Sequence, residues 1–181
     1  CKLLAKSGCV AVSGGLEVLS DRLLKKMNKG VTIEQAIKTV HNFSGAGIMI
    51  HAYLMYGYPT QTKLETINAL EIIRQLFKHK LVQSAYYHRF SMTIHSDIGK
   101  CPQKYEVKRT AHILNSFANN DLTHLDTKGC DHGMFSFGLK KALYNYMHSN
   151  CLDFPVDEWF EVKTPRTTIV PNLVAKILKS T

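Results

Sequence analysis

Closely spaced cysteines are missing from this sequence. Its five cysteines stand at positions 1, 9, 101, 130 and 151, an odd total without a CxxC pair, which excludes a zinc ribbon and a disulfide framework and points to a reducing, cytoplasmic setting. No stretch of about 18 apolar residues occurs, so no membrane-spanning helix is expected. Internal repeats and low-complexity tracts are absent, leaving an ordinary globular domain. An initial methionine and a signal peptide are also lacking: the chain opens on Cys1 within a helical segment and reads as a piece of something longer. Acidic residues are few, 14 against 23 Lys and Arg, and the net charge of +9 favours phosphates, nucleotides or RNA as partners. The basic residues nevertheless fall into small separate groups: Lys25, Lys26 and Lys29, then Lys78 and Lys80, then 100–109, then Lys140 and Lys141. A solvated basic exterior is favoured over a dedicated nucleic-acid surface.

What is present is a core. Apolar residues make up 45% of 181, enough for one compact domain. CKLLAKSGC predicts a helix end closed by Gly8, followed by a short strand, Val10 to Ser13, that breaks at Gly14-Gly15. Ser20 caps a helix ending near Asn28 to Gly30, and Thr32 with Gln35 forms a capping box for a second helix with Ile33, Ile37 and Val40 on its apolar face. The apolar run from Ile48 to Tyr56 predicts a parallel strand covered on both faces. Thr62 with Glu65 opens a third helix carrying Leu64, Ile67, Leu70, Ile73 and Phe77, and Leu81 to Phe90 is a third strand. This rhythm is that of a parallel sheet with helical crossovers. Beyond residue 95 periodicity fades, with helices expected over Leu139 to His148 and Asn172 to Lys179, a docked loop at DFPVDEWF, and an aromatic plug of Phe154, Trp159 and Phe160.

The loops leaving the carboxyl ends of parallel strands form the ligand-binding edge. Here they are SGGLE, YGYPTQT and HRFSMTIHSD. Gly14 and Gly15 let a ligand approach the backbone, and Glu17 offers a carboxylate for hydroxyls or an ammonium. His88, Arg89 and His95, at or beyond the third strand end, are candidate substrate contacts. His124, Asp126, Cys130, Asp131 and His132 carry metal-ligating atom types, but their spacing fits no standard metal pattern and no metal is assigned.

Ser13 to Gly30 (SGGLEVLSDRLLKKMNKG) and Gly47 to Ile67 (GIMIHAYLMYGYPTQTKLETI) resemble the second half of the barrel of radical S-adenosylmethionine enzymes. In that family G-x-E-S-x-S-D-x-x-L-x-x-M-x-K/R-G follows the fourth strand, and the fifth ends in G-x-P-x-Q-T. The resemblance implies an α/β fold: a parallel sheet with flanking helices, half of a partial (β/α)6 TIM-like barrel, as strands four to six in residues 1–95. A mixed loop-and-helix extension follows over 96–181. It further implies that Gly15, Glu17, Lys29, Tyr53, Met55 and Gly57 contact S-adenosylmethionine. Glu17 would meet the ribose or methionyl part, Lys29 the methionine carboxylate, and Tyr53 to Gly57 the adenine, with Gly57 letting the cofactor pass. Val18 stands where the family commonly has Ser, and Tyr53 where some relatives have an acidic contact residue.

The same resemblance implies a [4Fe-4S] cluster held by CxxxCxxC, yet these cysteines make no such triplet and the glycine-rich second-strand segment is missing. The expectation is therefore a fragment, inactive alone, of an oxidoreductase or transferase that forms a 5'-deoxyadenosyl radical. Its partner would be the N-terminal half of the same protein. Y-x-H-x-F (Tyr86 to Phe90) and D-H-G (Asp131 to Gly133) are most similar to the class with an upstream cobalamin domain. The alternative from another class is a non-catalytic basic α/β module for a nucleotide or RNA. A half barrel also exposes a strand edge and an apolar face, so the fragment is expected to self-associate as a homo-oligomer, in the simplest case a dimer.

Overall fold

The computed structural model describes residues 1–110 and 120–180. Helix α1 (Lys2–Lys6) ends at Ser7, and Gly8 turns the chain at φ +88° into strand β1 (Ala11–Glu17). The strand does not break at the glycines, as the sequence suggested. Gly14 and Gly15 pair with Ala52 and Tyr53 of β2 (Met49–Tyr56), because a ladder needs only backbone groups and β2 supplies them. The irregularity comes one residue later, as a bulge between Gly15 and Glu17.

Helices α2 (Asp21–Lys26) and α3 (Ile33–Gly45) lie between β1 and β2, and α4 (Lys63–Lys78) leads to β3 (Ser84–Arg89). All three starts are capped as their sequences require. Ser20 Oγ accepts the Leu23 N–H, and Thr32 with Gln35 and Thr62 with Glu65 form reciprocal capping boxes. The three strands form one parallel sheet in the order β1-β2-β3.

The sheet is covered on one face, not on two. Ile50, Ala52, Leu54 and Tyr56 of β2 and Ala85 and Tyr87 of β3 are buried under helices. On the opposite face Met49, Tyr53 and Tyr86 are 51%, 45% and 51% exposed, because no described element lies across them. The unbroken apolar run of β2 therefore serves two surfaces, a helix-covered core and an open wall.

The extension joins the same core. Helix α6 (Ser136–Met147) packs on β3 and α4 through Leu139, Ala142, Leu143 and Tyr146, in the position of a crossover helix after β3. Trp159 packs there too, donating from Nε1 to the Tyr146 hydroxyl at 3.0 Å, with Phe154 against its ring. Helix α7 (Leu173–Lys179) is moored to α4: the Gln75 side chain donates to the Val170 carbonyl at 2.9 Å and accepts the Val174 N–H at 3.0 Å. Arg74, ion-paired with Glu71 at 2.6 Å, donates to the Leu152 carbonyl.

A second small core, Met92, Ile98, Val107 and Leu122, sits beyond β3. It is built from α5 (Asp97–Lys100) and two antiparallel ribbons. In these β4 (Met92–Thr93) pairs with β6 (Asp121–Leu122), and β5 (Val107–Arg109) with β7 (His124–Asp126). Strands of two and three residues are too short to show alternation, which is why this region read as irregular. Among the described residues no helix is long and apolar enough to cross a membrane.

Candidate functional site

At the carboxyl edge of β1 the bulge sets Glu17 at φ +54°, and its carboxylate folds back over Gly15. A Cβ at Gly15 would lie 2.5 Å from Glu17 Oε1, so glycine there makes room for the carboxylate. The turn after α2, with Asn28 at φ +56°, returns Lys29 to the same place, and Lys29 Nζ donates to Glu17 Oε1 at 2.8 Å. The two residues singled out separately in the sequence thus form one ion pair. It presents a carboxylate and an ammonium side by side at the strand end.

Gly15, Tyr53 and Tyr86 stand abreast in register on the open wall. The wall is aromatic: Tyr53 is 4.9 Å from the His51 ring and 5.7 Å from the His88 ring, and Tyr86 is 4.5 Å from His88. His51 Nδ1 and Ser84 Oγ are 2.7 Å apart across β2 and β3. Met55 is half-buried against Val18, Leu23 and Tyr58, and the fully buried Val18 fills that cluster as an apolar residue.

Beyond β2, Gly57 adopts φ +81°, and the Gln61 side-chain oxygen accepts its N–H at 2.7 Å and that of Tyr58 at 3.2 Å. The space a side chain would take at Gly57 faces the extension: a Cβ would sit 3.3 Å from His132 Cβ. Thr60, buried at φ +71°, gathers four hydrogen bonds with three side chains. Asp126 Oδ2 accepts its N–H at 2.7 Å, Arg22 donates to its carbonyl at 2.8 Å and its hydroxyl at 3.1 Å, and Lys26 donates to that hydroxyl at 3.2 Å. Arg22 also grips Glu65 at 2.7 Å, and Ser20 donates to Glu65 at 2.8 Å. Burial opposes the charge on Glu65, but the hydrogen bonds from Arg22, the Thr62 N–H and Ser20 bring its pKa down to about 2. Sequence reasoning found Glu65 and Ser20 only as caps; the Arg in S-D-R-L-L, one turn from that cap, was the available signal for the rest.

The three substrate candidates separate. His88 faces the open wall. Arg89 lines a cavity of about 390 Å³ with Gly57, Phe90, Asp126, Cys130 and His132. His95 is exposed in the turn between β4 and α5, away from that cavity. Within the cavity wall, Cys130 Sγ lies 3.7 Å from His132 Nδ1. Burial pushes the Cys130 thiol up and the His132 imidazole down from their ordinary pKa values. Among the described residues no three His, Cys, Asp or Glu side chains are placed to hold a metal ion. All five cysteines are free thiols.

Comparison with known proteins gives two kinds of match. The radical SAM superfamily profile matches residues 1–73. The ribosomal protein uS12 methylthiotransferase RimO of Flavobacterium psychrophilum is 25% identical over 109 residues, covering 59% of this chain and 25% of the relative. An uncharacterised protein of Methanopyrus kandleri is 38% identical over 52 residues, 29% of this chain and 10% of the relative. The chain spans a quarter or less of the length of these curated relatives. No solved structure matches it. The part of the chain that resembles the radical SAM superfamily, residues 1–73, is the part that carries the glutamate bulge at the edge of the parallel sheet.

Proposed function

We propose that this chain supplies one wall of the S-adenosylmethionine and substrate site of a radical SAM enzyme. The observation that carries the reading is the Glu17–Lys29 pair, 2.8 Å across, folded over Gly15 at the carboxyl end of β1. The chemistry fits S-adenosylmethionine: a carboxylate for ribose hydroxyls or the amino group, an ammonium for the carboxylate, and the exposed Tyr53 ring on the open wall for the flat adenine. Met55 and the backbone of the Tyr53 to Gly57 segment line the same strand end.

The [4Fe-4S] cluster fits less well here. Cys1, Cys9, Cys101, Cys130 and Cys151 are dispersed over the fold, and Cys130 lies under Gln61 and His132. These thiols make no cluster site, so the cluster and the remaining barrel strands belong to residues outside these 181. When bound, the cluster supplies the electron for reductive chemistry. The role of this chain is to bind and orient. Alone, it needs those other residues to act, and its open wall and the free edge of β1 favour self-association. The oxidoreductase or transferase class, a cytoplasmic setting and an additional cobalamin cofactor belong to the same reading of the whole protein.

The test is direct binding of S-adenosylhomocysteine to the chain. Saturable binding that Glu17→Gln weakens about tenfold supports the reading, since a hydrogen bond to a charged group is worth about 1.5–3 kcal/mol. Equal affinity of both proteins overturns it. A reading frame upstream of Cys1 without CxxxCxxC would overturn the enzyme assignment.

A further inference from the structure

The open face of the sheet carries no fixed charge. Between Ala11 and Gly15, Met49 and Met55, and Ser84 and His88 the strands contain no Lys, Arg, Asp or Glu. At the carboxyl end of the face Glu17 and Lys29 offset one another at 2.8 Å. A charged group laid on this wall would give up water and gain no counter-ion, so the wall selects against carboxylates, phosphates and ammonium groups.

The face is also stepped. Its β1 side consists of Ala11, Ser13 and Gly15, which stand little above the backbone, because Val12 and Leu16 turn the other way into the core. On β2 and β3 it rises as rings. Tyr53 is flanked on two sides, by His51 at 4.9 Å and His88 at 5.7 Å. Tyr86 meets one ring, His88 at 4.5 Å, and is 51% exposed. His51 is engaged by Ser84 Oγ at 2.7 Å, whereas the Tyr86 hydroxyl and the His88 ring nitrogens make no hydrogen bond among the described residues. The β3 side therefore offers a half-free aromatic surface, on which flat groups stack, with hydrogen-bonding atoms at its rim. Because Gly15, Tyr53 and Tyr86 stand abreast, two flat groups fit in different places: one on the low side between Gly15 and Tyr53, a second on Tyr86.

We propose that Tyr86, with His88 at its rim, binds an uncharged planar ring of the substrate beside the adenine of the cofactor. This rests on the preceding reading in calling the bound molecule the substrate; ring binding at Tyr86 does not itself require S-adenosylmethionine. The ring approaches across the wall, and its polar atoms meet the Tyr86 hydroxyl and the His88 imidazole.

The experiment is NMR titration of the whole chain with benzamide, benzoate and cyclohexanecarboxamide, following the Tyr86 and His88 ring signals, with and without saturating S-adenosylhomocysteine. Benzamide is flat and uncharged, benzoate flat and charged, and cyclohexanecarboxamide uncharged, more apolar and not flat. The expected result is saturable benzamide binding at both rings, unaffected by S-adenosylhomocysteine, with the other two compounds binding at least about fivefold more weakly. Tyr86→Phe should keep most of the affinity, and Tyr86→Leu should lose about fivefold. The tighter binder of uridine and N-acetylphenylalaninamide then assigns the ring to a nucleobase or to an aromatic side chain. The idea is overturned if cyclohexanecarboxamide or benzoate binds as well as benzamide, if Tyr86→Leu binds benzamide undiminished, or if S-adenosylhomocysteine displaces benzamide. It is equally overturned if the two ring signals move only with chain concentration, which would make the wall a contact between copies. Tyr86→Leu should bind S-adenosylhomocysteine normally, and Glu17→Gln should bind benzamide normally. Loss of the S-adenosylhomocysteine arm with benzamide binding intact would therefore count against the cofactor reading alone, and the reverse against this one alone.

Discussion

Asp126 Oδ2 accepts the Thr60 N–H at 2.7 Å, and through this bond the end of β7 holds the loop that leaves β2. Thr60 is a buried non-glycine residue at φ +71°, a conformation that costs of order 1–3 kcal/mol unless its surroundings impose it. They do so from three directions. Arg22 and Lys26 of α2 reach its carbonyl and hydroxyl, its own loop turns into α4, and the extension supplies the carboxylate. The loop beside the candidate cofactor strand is thus rigid because three separate parts of the chain agree on one threonine.

Replacing Asp126 by Ala leaves a buried N–H without its acceptor and should lower stability by about 1–3 kcal/mol, as measured by urea unfolding. Asp126→Asn keeps an acceptor oxygen and should lose less. Equal stability of all three proteins would contradict this account of the loop.

Gly57→Ala adds a Cβ at φ +81° and 3.3 Å from His132 Cβ. The left-handed backbone alone costs roughly 1–2 kcal/mol with a side chain present. The contact adds to it. Thermal unfolding should show the cost of Gly57→Ala reduced, but not abolished, in a His132→Gly background. An unchanged cost would mean that the ring yields freely.

Glu65 predicts an acid-side stability loss. Its folded pKa of about 2 lies below the ordinary 4.5, so the stabilisation is complete above 4.5 and disappears as pH falls from 4.5 towards 2. Arg22→Gln removes the leading favourable partner, and should flatten the slope of unfolding free energy across that window while lowering stability at pH 7. An identical slope in the variant would assign the acid sensitivity to other groups.

Gly15→Ala should separate folding from binding. The added Cβ would meet Glu17 Oε1 at 2.5 Å, which is the far end of a flexible side chain, so the carboxylate can move and the fold should stay within about 1 kcal/mol. The displaced carboxylate leaves Lys29, and S-adenosylhomocysteine affinity should fall as in Glu17→Gln. Retained affinity would show that the placement of Glu17 over Gly15 is not needed.

The helices and their order were legible in the sequence because their determinants are local. A capping box needs only Thr32 with Gln35, or Thr62 with Glu65, three residues apart, and the apolar faces of α3 and α4 follow the helical period. The family resemblance was legible because SGGLE and GYPTQT are contiguous runs. Strand β1 was misjudged at its glycines because glycine is a poor strand former until a neighbour such as β2 pairs with it. Strand β2 was taken as doubly covered because an apolar run does not say whether both of its faces have partners.

The sequence by itself determined where the helices begin, that a parallel sheet forms, and which superfamily profile the first 73 residues match. Only the tertiary structure decided that Glu17 and Lys29 pair, that His132 sits over Gly57, and that Arg89 lies in a cavity apart from His88 and His95. The reason is chain separation. Caps and periodicity act across three or four residues, whereas Gly57 and His132, or Thr60 and Asp126, are brought together only when the core shared by the sheet, α4 and α6 has closed.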